Sequence, residues 1–336
     1  MKKILIATDV WKNINGVVTS IKQLKEGLEK RNFKVKIVHP AEFRNVPLLT
    51  DRDIKLAILS RRRMEKIIKK FKPDYLHIAT EGPVGFAARL ACGKNKWKFT
   101  SQYHTQLPEY IEIRIRTGLL KNATYRYLRW FHGAGEKTMV SSPLFKNLLE
   151  KRKFKNVTLI PLGVDVDKFK KNPRAKTSKN LKKPIFTFLG RVTTEKNLPS
   201  FLKCKLPGTK LIIGDGSAKK SLEKKFKKDT VFVGCKSGRE LVDLLSISDV
   251  FVFPSKTDTF GLAMLEALAC EVPVAAYNVT GPKDIVTSGF DGYLGPNLGE
   301  NALRCLKLKK ANCRKKALKF SAKKWCDRFI KNLSPV

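Results

Sequence analysis

The stretch FPSKTDTFGLAMLEALACEVPVAA, residues 253–276, predicts the end of one strand, a helix and a second strand in close succession. The apolar runs DVFVFPS and VPVAAY favour buried strands, and the apolar residues between them have helical spacing over residues 260–270. A strand–helix–strand unit of this kind joins two parallel strands. Two acidic residues interrupt it, Asp258 in the turn before the helix and Glu266 within the helix, and they are the first candidates for a functional role.

The same alternation of strand and helix runs through the rest of the chain. Short apolar runs separated by helical segments are KILIAT, KVKIVHP, YLHIAT, KFTSQYHT, KTMVSS, NVTLIPL, IFTFLG, TKLIIGDG, TVFVG, DVFVFPS, VPVAAY and GYLG. This rhythm predicts an α/β protein with parallel sheets. A length of 336 residues suits two doubly wound, Rossmann-like domains.

The predicted domain boundaries follow from breaks in this rhythm. We predict an N-terminal domain over residues 1–167, a C-terminal domain over 168–315 and a terminal helix over 316–336. The lysine-rich stretch KKNPRAKTSKNLKKP, residues 170–184, lacks periodicity and is the predicted interdomain linker.

The net charge of the chain indicates which classes of binding partner it favours. Lysine and arginine number 69 against 29 aspartate and glutamate residues, which gives a net charge of +40. Such a surplus favours polyanions, namely nucleic acid, an anionic membrane surface or phosphorylated substrates. Aromatic residues do not line up with the basic runs as a base-stacking surface requires, so we do not expect nucleic acid to be the partner.

Cysteine usage and hydropathy bear on the compartment. The seven cysteines are scattered without a CxxC pair, which favours reduced thiols and a cytoplasmic protein. The opening run MKKILIATDV loses its apolar character at Asp9, too early for a signal peptide. No window of about 18 apolar residues is present, so we expect any membrane contact to be peripheral.

Residues that directly follow strands are candidates for a site, because ligands of open α/β sheets bind beyond the carboxyl ends of the strands. Arg191 lies at the end of IFTFLG, and Lys196 follows near the start of the next helix. A planar guanidinium and a compact ammonium suit a diphosphate at this place. The alternative is a solvated cationic face, since basic residues are abundant in this chain.

The quoted stretch offers further candidates at the second strand end. Asp258 is predicted to lie in the loop, while Phe260, Gly261 and Leu262 present the amides of a helix start to an anion. Glu266 is predicted on a buried helix, where a carboxylate is costly unless strong donors such as ribose hydroxyls meet it. The alternative is that Asp258 caps the helix and Glu266 is paired internally.

The N-terminal half carries two more candidates. The pair Asn15-Gly16 precedes a helix, where glycine lets the backbone approach an anion, although an ordinary turn explains it equally. His104 follows a strand and is a candidate for orienting a substrate hydroxyl. The alternative is a structural histidine, which is how we interpret His39 and His77.

Taken together, these stretches resemble the retaining GT-B glycosyltransferases of family 4. The signature of that family is an acidic residue, seven residues and then glutamate, entered through Phe-Gly after a PS strand end; here it is Asp258-x7-Glu266, with aspartate in place of the usual glutamate. The supporting matches are NGVV, YHTQLPEY, LIPLGVDVDKF, GRVTTEKN, GDG and VFVG. The resemblance implies two Rossmann-like domains facing across a cleft, and a terminal helix that crosses back to the N-terminal domain.

The resemblance also assigns roles to the candidates. Those that would bind the donor are Gly16, Arg191, Lys196, Phe260, Gly261, Leu262 and Glu266. Arg191, Lys196 and Gly16 would meet the diphosphate, and Glu266 the ribose. Asp258 would touch the hydroxyls of the transferred sugar, and His104 would lie beside that sugar.

The implied chemistry is transfer with retention of anomeric configuration and without an enzymic nucleophile. Cations and helix-start amides would stabilise the leaving diphosphate, so we predict no cofactor and no metal requirement. The sequence contains D-x-D at 51–53 and at 165–167, but the predicted loop and interdomain turn do not suggest metal ligands there.

Within the family, TDVWKNINGVVTSI and YHTQLPEYI look most like bacterial diacylglycerol glycosyltransferases, with lipid mannosyl- and sulfoquinovosyltransferases as neighbours. The resemblance implies transfer of a hexose or hexuronic acid to a membrane lipid, and favours a UDP-sugar over GDP-mannose as donor. The alternative is a GDP-mannose-dependent α-mannosyltransferase, or another family 4 enzyme acting on a soluble or polysaccharide acceptor.

Two basic segments rich in apolar residues suit an anionic lipid surface. They are IKLAILSRRRMEKIIKKF, residues 54–71, and RIRTGLLKNATYRYLRWFHG, residues 114–133. The alternative is that both are surface helices whose apolar sides pack into the domain. On the first interpretation the protein is peripherally associated with the cytoplasmic face of the inner membrane.

Overall fold

Two six-stranded parallel sheets organise the chain into two units. Unit 1 comprises residues 1–161 and 323–336, and unit 2 comprises residues 162–322. The computed structural model describes residues 1–11, 16–48, 51–58, 60–115, 118–177 and 181–336. The side chains at 47, 48, 51–56, 110, 113–115 and 118 lie outside this description.

The sheet of unit 1 places its first strand second from one edge, between β2 and β5. The strands are β1 (Lys2–Ala7), β2 (Phe33–Val38), β3 (Asn45–Leu48), β4 (Asp51–Ala57), β5 (Tyr75–Ile78), β6 (Thr100–Gln102), β7 (Lys137–Val140) and β8 (Val157–Leu159). The parallel order is β2-β1-β5-β6-β7-β8, and β3 and β4 form a separate antiparallel pair. Residues Ile4 to Ala7 of β1 are buried, as expected for a strand covered on both faces.

Helices follow most strands of unit 1. They are α1 (Gly16–Glu29), α2 (Arg61–Phe71), α3 (Pro83–Asn95), α4 (Leu107–Ile115), α5 (Gly118–His132) and α6 (Pro143–Lys151). Asp9, just beyond β1, accepts hydrogen bonds from the Thr80 hydroxyl and from the amides of Val84 and Gly85. This carboxylate therefore ties the end of β1 to the start of α3.

Unit 2 repeats the architecture. Its strands are β9 (Ile185–Leu189), β10 (Thr209–Ile213), β11 (Thr230–Gly234), β12 (Val250–Phe253), β13 (Val274–Ala276) and β14 (Gly292–Leu294). Its helices are α7 (Leu198–Leu202), α8 (Lys219–Lys225), α9 (Gly238–Ser246), α10 (Leu262–Ala269), α11 (Pro282–Ile285), α12 (Leu298–Cys305) and α13 (Ala311–Lys319). The order β11-β10-β9-β12-β13-β14 puts β9 beside β12, where the direction of winding reverses. The prediction of two doubly wound α/β domains is confirmed.

The basic segment over residues 54–71 is helical only in its second part, so the alternative interpretation as a surface helix fails for its first part. Residues 51–57 form β4, which pairs with β3, and α2 begins only at Arg61. The Ser60 hydroxyl accepts a hydrogen bond from the Arg63 amide and so caps the helix there. Leu59, which the prediction included, lies outside the described residues.

The predicted linker, residues 170–184, belongs to unit 2. The Asn172 amide donates to Ser246 Oγ over 2.9 Å, and the Asn172 side chain donates to Asp243 Oδ1 over 2.6 Å. These contacts fasten the start of the segment to α9, so the chain passes between the units earlier, at 161–162. Residues 178–180 of this stretch lie outside the described ranges.

The predicted single helix over residues 316–336 is two helices in the structure. The first, α13, ends at Lys319, and α14 (Ala322–Lys331) follows after a turn in which Ser321 bridges to Val164. Beyond Ala322 the chain belongs to unit 1. There Phe329 is fully buried with its ring edge-on to His77, 4.8 Å between centroids.

Candidate functional site

The carboxyl ends of β9 and β12 meet at the reversal point of the sheet in unit 2, which is where open α/β sheets bind ligands. The loop after β9 contains Arg191 and a short 3-10 turn, Thr194–Lys196. The loop after β12 contains Asp258 and leads into α10. Pairing of the two strands therefore brings the loop that carries Arg191 and Lys196 next to the loop that carries Asp258.

Two side-chain bonds join these loops. Lys196 Nζ donates to Asp258 Oδ1 over 2.6 Å, and Asn197 Nδ2 donates to the Pro254 carbonyl over 3.1 Å. Asn197 has a left-handed backbone, with φ of 53°, which turns the chain from the 3-10 turn into α7. Both members of the Lys196–Asp258 pair are largely buried, with side chains 16% and 15% exposed.

Several polar atoms near this ion pair have no partner among the residues that the structure describes. Asp258 Oδ2, Thr257 Oγ1 and Ser255 Oγ are buried and form no hydrogen bond with any described residue. Buried polar groups in native proteins are almost always satisfied by protein, water or ligand. A carboxylate oxygen and two hydroxyls left open beside the ion pair suit a ligand rich in hydroxyl groups.

The second predicted cation is more accessible. Arg191 Nη2 lies 3.0 Å from Glu195 Oε1, with the arginine side chain 45% exposed and the glutamate 11% exposed. Burial alone would raise the pKa of Glu195, but its hydrogen bonds and the Arg191 and Lys196 charges lower the pKa below its usual value. Glu195 is therefore a carboxylate that holds the guanidinium in place.

The predicted start of the helix at Phe260 is wrong by two residues. The first residue of α10 is Leu262, because Gly261 adopts a left-handed backbone with φ of 91° and breaks the helical path. The Phe260 side chain is buried against Phe320, with 6.0 Å between ring centroids, so only its main chain faces the loop. A Cβ on Gly261 would meet Met264 Cε at 2.5 Å.

Glu266 lies on α10 among buried apolar residues and is itself 8% exposed. Burial raises the pKa of this carboxyl from its usual value to about 7, against the opposing influence of the Lys168 ammonium. None of the described residues forms an ion pair or hydrogen bond with the Glu266 side chain. The structure thus does not place the internal partner that the alternative interpretation of Glu266 requires.

Three neighbouring features escaped the sequence analysis. Glu195 and Asn197 of VTTEKN were not among the predicted site residues. Glu195 pairs with Arg191, and Asn197 donates to the Pro254 carbonyl, 57 positions further along the chain. The loop after β13 also belongs to this edge, because a Cβ on Gly281 would come within 3.0 Å of the Asp258 carbonyl oxygen. The Gly-Pro pair at 281–282 was the available signal for that close approach.

The glycines of the GDG motif allow two loops to touch. A Cβ on Gly214 would lie 1.9 Å from the Gly190 carbonyl oxygen, and one on Gly216 would lie 2.5 Å from that of Val192. The Val192 amide donates to the Asp215 carbonyl over 2.8 Å. Close backbone packing at this point fixes the course of the loop that carries Arg191 and Lys196.

The remaining predicted residues belong to unit 1. Gly16 opens α1 with open space around it, and its predicted neighbour Asn15 lies outside the described residues. His104 follows β6, and burial lowers the pKa of its imidazole to about 4, so the ring is neutral near pH 7. It lines a narrow gap together with His77 and Trp325.

The two D-x-D sequences do not form a metal centre in the described part of the chain. Asp165 Oδ1 accepts hydrogen bonds from the amides of Asp167 and Lys168, so its carboxylate shapes a turn. The side chains at 51–53 lie outside the description. Across the described ranges, no group of three or more metal-ligating side chains is suitably placed. Independence of metal remains a prediction.

Family models account for most of the chain. Residues 169–304 match the model of the glycosyl transferases group 1, and residues 14–168 match that of glycosyltransferase family 4. The chain belongs to the family 4 glycosyltransferases. The family and the enzyme class predicted from Asp258-x7-Glu266 and its companion motifs are confirmed.

Relatives of this glycosyltransferase include enzymes whose names contain sulfoquinovosyl, GDP-mannose and monoglucosyldiacylglycerol. The sulfoquinovosyl transferase of Arabidopsis thaliana is 30% identical over 286 residues, which cover 80% of this chain and 55% of the plant protein. A GDP-mannose-dependent α-mannosyltransferase of Corynebacterium glutamicum is 25% identical, covering 88% and 76% of the two chains. The α-monoglucosyldiacylglycerol synthase of Streptococcus pneumoniae is 26% identical, covering 82% and 71%.

Solved structures share the fold of this glycosyltransferase. The sucrose-phosphate synthase of Thermosynechococcus elongatus superposes with a TM-score of 0.79 at 18% identity, covering 98% of both chains. An Anabaena protein solved in complex with UDP and glucose has a TM-score of 0.75 at 14% identity, covering 98% of this chain and 99% of its own. The predicted GT-B fold is confirmed.

Proposed function

We propose that this glycosyltransferase moves a hexose or hexuronic acid from a nucleotide-diphosphate sugar to a membrane lipid, with diacylglycerol as the acceptor. The observation that carries the donor part is the Lys196–Asp258 ion pair at the reversal point of unit 2, which lies before α10 and has Arg191 in the same loop as Lys196. Cations, helix-start amides and a carboxylate with an open oxygen suit a diphosphate joined to a sugar.

The proposed chemistry is stabilisation of the leaving diphosphate. When the bond between sugar and diphosphate breaks, negative charge develops on the phosphate oxygens. Arg191, Lys196 and the amides at the start of α10 would stabilise that charge without a metal. Asp258 would hold sugar hydroxyls, Glu266 would accept hydrogen bonds from the ribose, and retention would follow from attack on the same face of the sugar.

The unit 1 residues complete the proposal. His104, neutral near pH 7, would lie beside the transferred sugar as a hydrogen-bonding group. Gly16 would let the start of α1 approach the diphosphate. Both roles come from the family resemblance and from their positions after β6 and after β1.

The names of the relatives support a lipid acceptor. The Streptococcus relative is named an α-monoglucosyldiacylglycerol synthase, which is a name for an enzyme that makes a glycosylated diacylglycerol. The structural neighbour from Anabaena was solved with UDP and glucose, which favours a UDP-sugar as donor. The Corynebacterium relative, named for GDP-mannose, supports the second candidate, a mannosyltransferase acting on another acceptor.

Transfer with radiolabelled donors tests the proposal. We expect UDP-hexose with diacylglycerol in mixed micelles to yield a labelled, organic-extractable product, and to do so equally in EDTA. Parallel reactions use GDP-mannose as the donor or soluble sugars as the acceptors. Label that appears only with GDP-mannose or only in the aqueous phase would replace the proposal with the second candidate, and loss of activity in EDTA would contradict metal independence.

Attachment to the membrane is proposed to be peripheral. Across the described ranges, no helix combines the length and apolar character that a membrane span needs. The two basic segments differ in whether their apolar side chains are exposed. The apolar residues Met64 and Ile68 of α2 are buried in the core, and α2 exposes no large hydrophobic side chain among the described residues. By contrast, α5 exposes Leu119 at 85% and Leu120 at 43%.

The start of α5 is therefore the proposed contact with lipid. Exposed leucines beside basic residues such as Arg126 suit an anionic headgroup layer, where each basic residue contributes about 1 kcal/mol. The exposed basic residues of α2 would add attraction at longer range. This arrangement would place the enzyme on the cytoplasmic face of the membrane that holds its acceptor.

Liposome flotation tests this contact. We expect the protein to float with vesicles containing anionic lipid at low salt, and the double variant Leu119→Glu/Leu120→Glu to lose most of that binding. Leu303→Glu, which changes a leucine 40% exposed in unit 2, is the matched control and should float like the unmodified protein. Equal flotation of all three proteins would remove α5 from the contact, and no flotation of any would reject peripheral attachment.

A further inference from the structure

The Lys196–Asp258 pair places the Asp258 carboxylate next to the lysine that is proposed to bind the donor diphosphate, so two negative groups would share one cation. Lys196 Nζ and Asp258 Oδ1 are 2.6 Å apart in a setting where each side chain is about 15% exposed. In so little solvent, charges are weakly screened. A diphosphate at Lys196 would therefore stand close to the Asp258 carboxylate and be repelled by it.

The second carboxylate oxygen of Asp258 indicates that hydrogen-bond donors of the ligand could offset this repulsion. Asp258 Oδ2 is buried and, like Thr257 Oγ1 next to it, accepts no hydrogen bond from the described residues. A carboxylate that loses its cation in a buried place is strongly unfavourable unless other donors replace it. Sugar hydroxyls are such donors, whereas a nucleoside diphosphate without its sugar brings none to this position.

We propose that Asp258 competes with the diphosphate for Lys196, so that the site retains an intact nucleotide sugar and releases the nucleoside diphosphate left after transfer. This inference rests on the proposed function. With the sugar present, Lys196 forms an ion pair with the phosphates, and Asp258 accepts hydrogen bonds from the sugar hydroxyls. Once the sugar has gone to the acceptor, Asp258 is unpaired and takes Lys196 back, which weakens the hold on the product.

Replacing Asp258 with asparagine separates the two ligands. The amide has nearly the same shape but no charge, so the ion pair between Lys196 and position 258 is lost. We expect Asp258→Asn to bind UDP about tenfold more tightly than the unmodified protein, a change within the usual range of coupling between sites. We expect the same variant to lose transfer, because the sugar loses its charged acceptor of hydrogen bonds.

Isothermal titration with UDP on four proteins tests the competition: unmodified, Asp258→Asn, Lys196→Ala and the double variant. If Asp258 acts through Lys196, the gain in UDP affinity appears only when Lys196 is present, so the double variant should bind UDP like Lys196→Ala. Glu150→Gln is the matched control for charge. It removes one carboxylate from an exposed Lys146–Glu150 pair in unit 1 and should leave UDP affinity unchanged.

Each outcome decides something different. Unchanged or weaker UDP binding by a folded Asp258→Asn protein overturns the competition, since Asp258 would then merely position Lys196. A gain that persists without Lys196 overturns it as well. Asp258→Ser, which also removes the charge, serves if the asparagine variant does not fold. If the unmodified protein binds neither UDP nor GDP, the donor site of the proposed function fails, and the inference falls with it.

Discussion

Replacement of Lys196 with alanine is expected to lower transfer from the nucleotide sugar by roughly a hundred- to a thousandfold, the usual effect of removing one group that stabilises developing charge. Lys196 Nζ is the cation nearest Asp258 at the reversal point of unit 2, and it is largely buried. Its charge there is screened far less than that of a surface lysine. Initial rates at saturating acceptor measure the effect.

The matched control is Lys203→Ala. Lys203 is an exposed lysine at the end of α7 in the same unit, and its loss changes the net charge equally. We expect that variant to keep its activity. Full activity in Lys196→Ala would show that this residue is not part of the site. The presence of a lysine at position 196 would then reflect only the abundance of basic residues in the chain.

Loss of folding must be separated from loss of chemistry in this test. Alanine at position 196 leaves Asp258 as an unpaired buried carboxylate, which destabilises the protein. The double variant Lys196→Ala/Asp258→Asn removes that carboxylate as well. We therefore expect the double variant to recover thermal stability without recovering transfer, and recovery of both would contradict a role for Lys196 in the reaction.

The second large effect is expected at Glu266, where activity and stability should move in opposite directions. Glutamine there removes the charged acceptor proposed for the ribose, so transfer should fall about a hundredfold or more, as when two charge-assisted hydrogen bonds are lost. The same change removes a carboxylate whose burial is unfavourable. We expect the free energy of unfolding to rise at pH 8, measured by urea denaturation without donor.

The sign of this effect follows from the raised pKa. Burial raises the pKa of Glu266 from 4.5 to about 7, so between these values the folded protein keeps a proton that the unfolded chain has lost. The contribution of this group to stability therefore falls as the pH rises through that window and stays low above it. A shift of this size corresponds to about 3 kcal/mol at most, which glutamine would restore at pH 8 and barely change at pH 4.

The opposite result at Glu266 would be equally informative. If Glu266→Gln lowers the free energy of unfolding at pH 8, the carboxylate is paired inside the protein and serves the fold. Binding of an intact nucleotide sugar gives a second readout. We expect its affinity to rise with pH through about 7 in the unmodified protein, because the hydroxyls donate to the ionised form, and to lack this rise in the glutamine variant.

The sequence predicted the strands well where apolar runs were bounded by turn residues, and this is why the site residues were found. Arg191, Lys196 and Asp258 each follow a strand, so each could be identified singly. The contact between Lys196 and Asp258 could not be predicted, because it depends on β9 lying beside β12 although two strands separate them along the chain. Adjacency in a doubly wound sheet is a property of the whole fold.

The errors have local causes. The hairpin of β3 and β4 was missed because Pro47 within a strand argues against one and because apolar residues at helical spacing continue into α2. The start of α10 was misplaced because the left-handed backbone of Gly261 cannot be read from composition. The segment 170–184 was taken for a linker because it is polar, although Asn172 binds it to α9.

The most direct test of the proposed function is lipid analysis by mass spectrometry in a bacterial host that makes no glycolipids. Expression of the unmodified protein should produce hexosylated diacylglycerol, and expression of Lys196→Ala at equal level should produce almost none. If the unmodified, folded protein yields no hexosylated lipid, or if the alanine variant yields as much, then lipid glycosylation by the site at the ends of β9 and β12 is wrong.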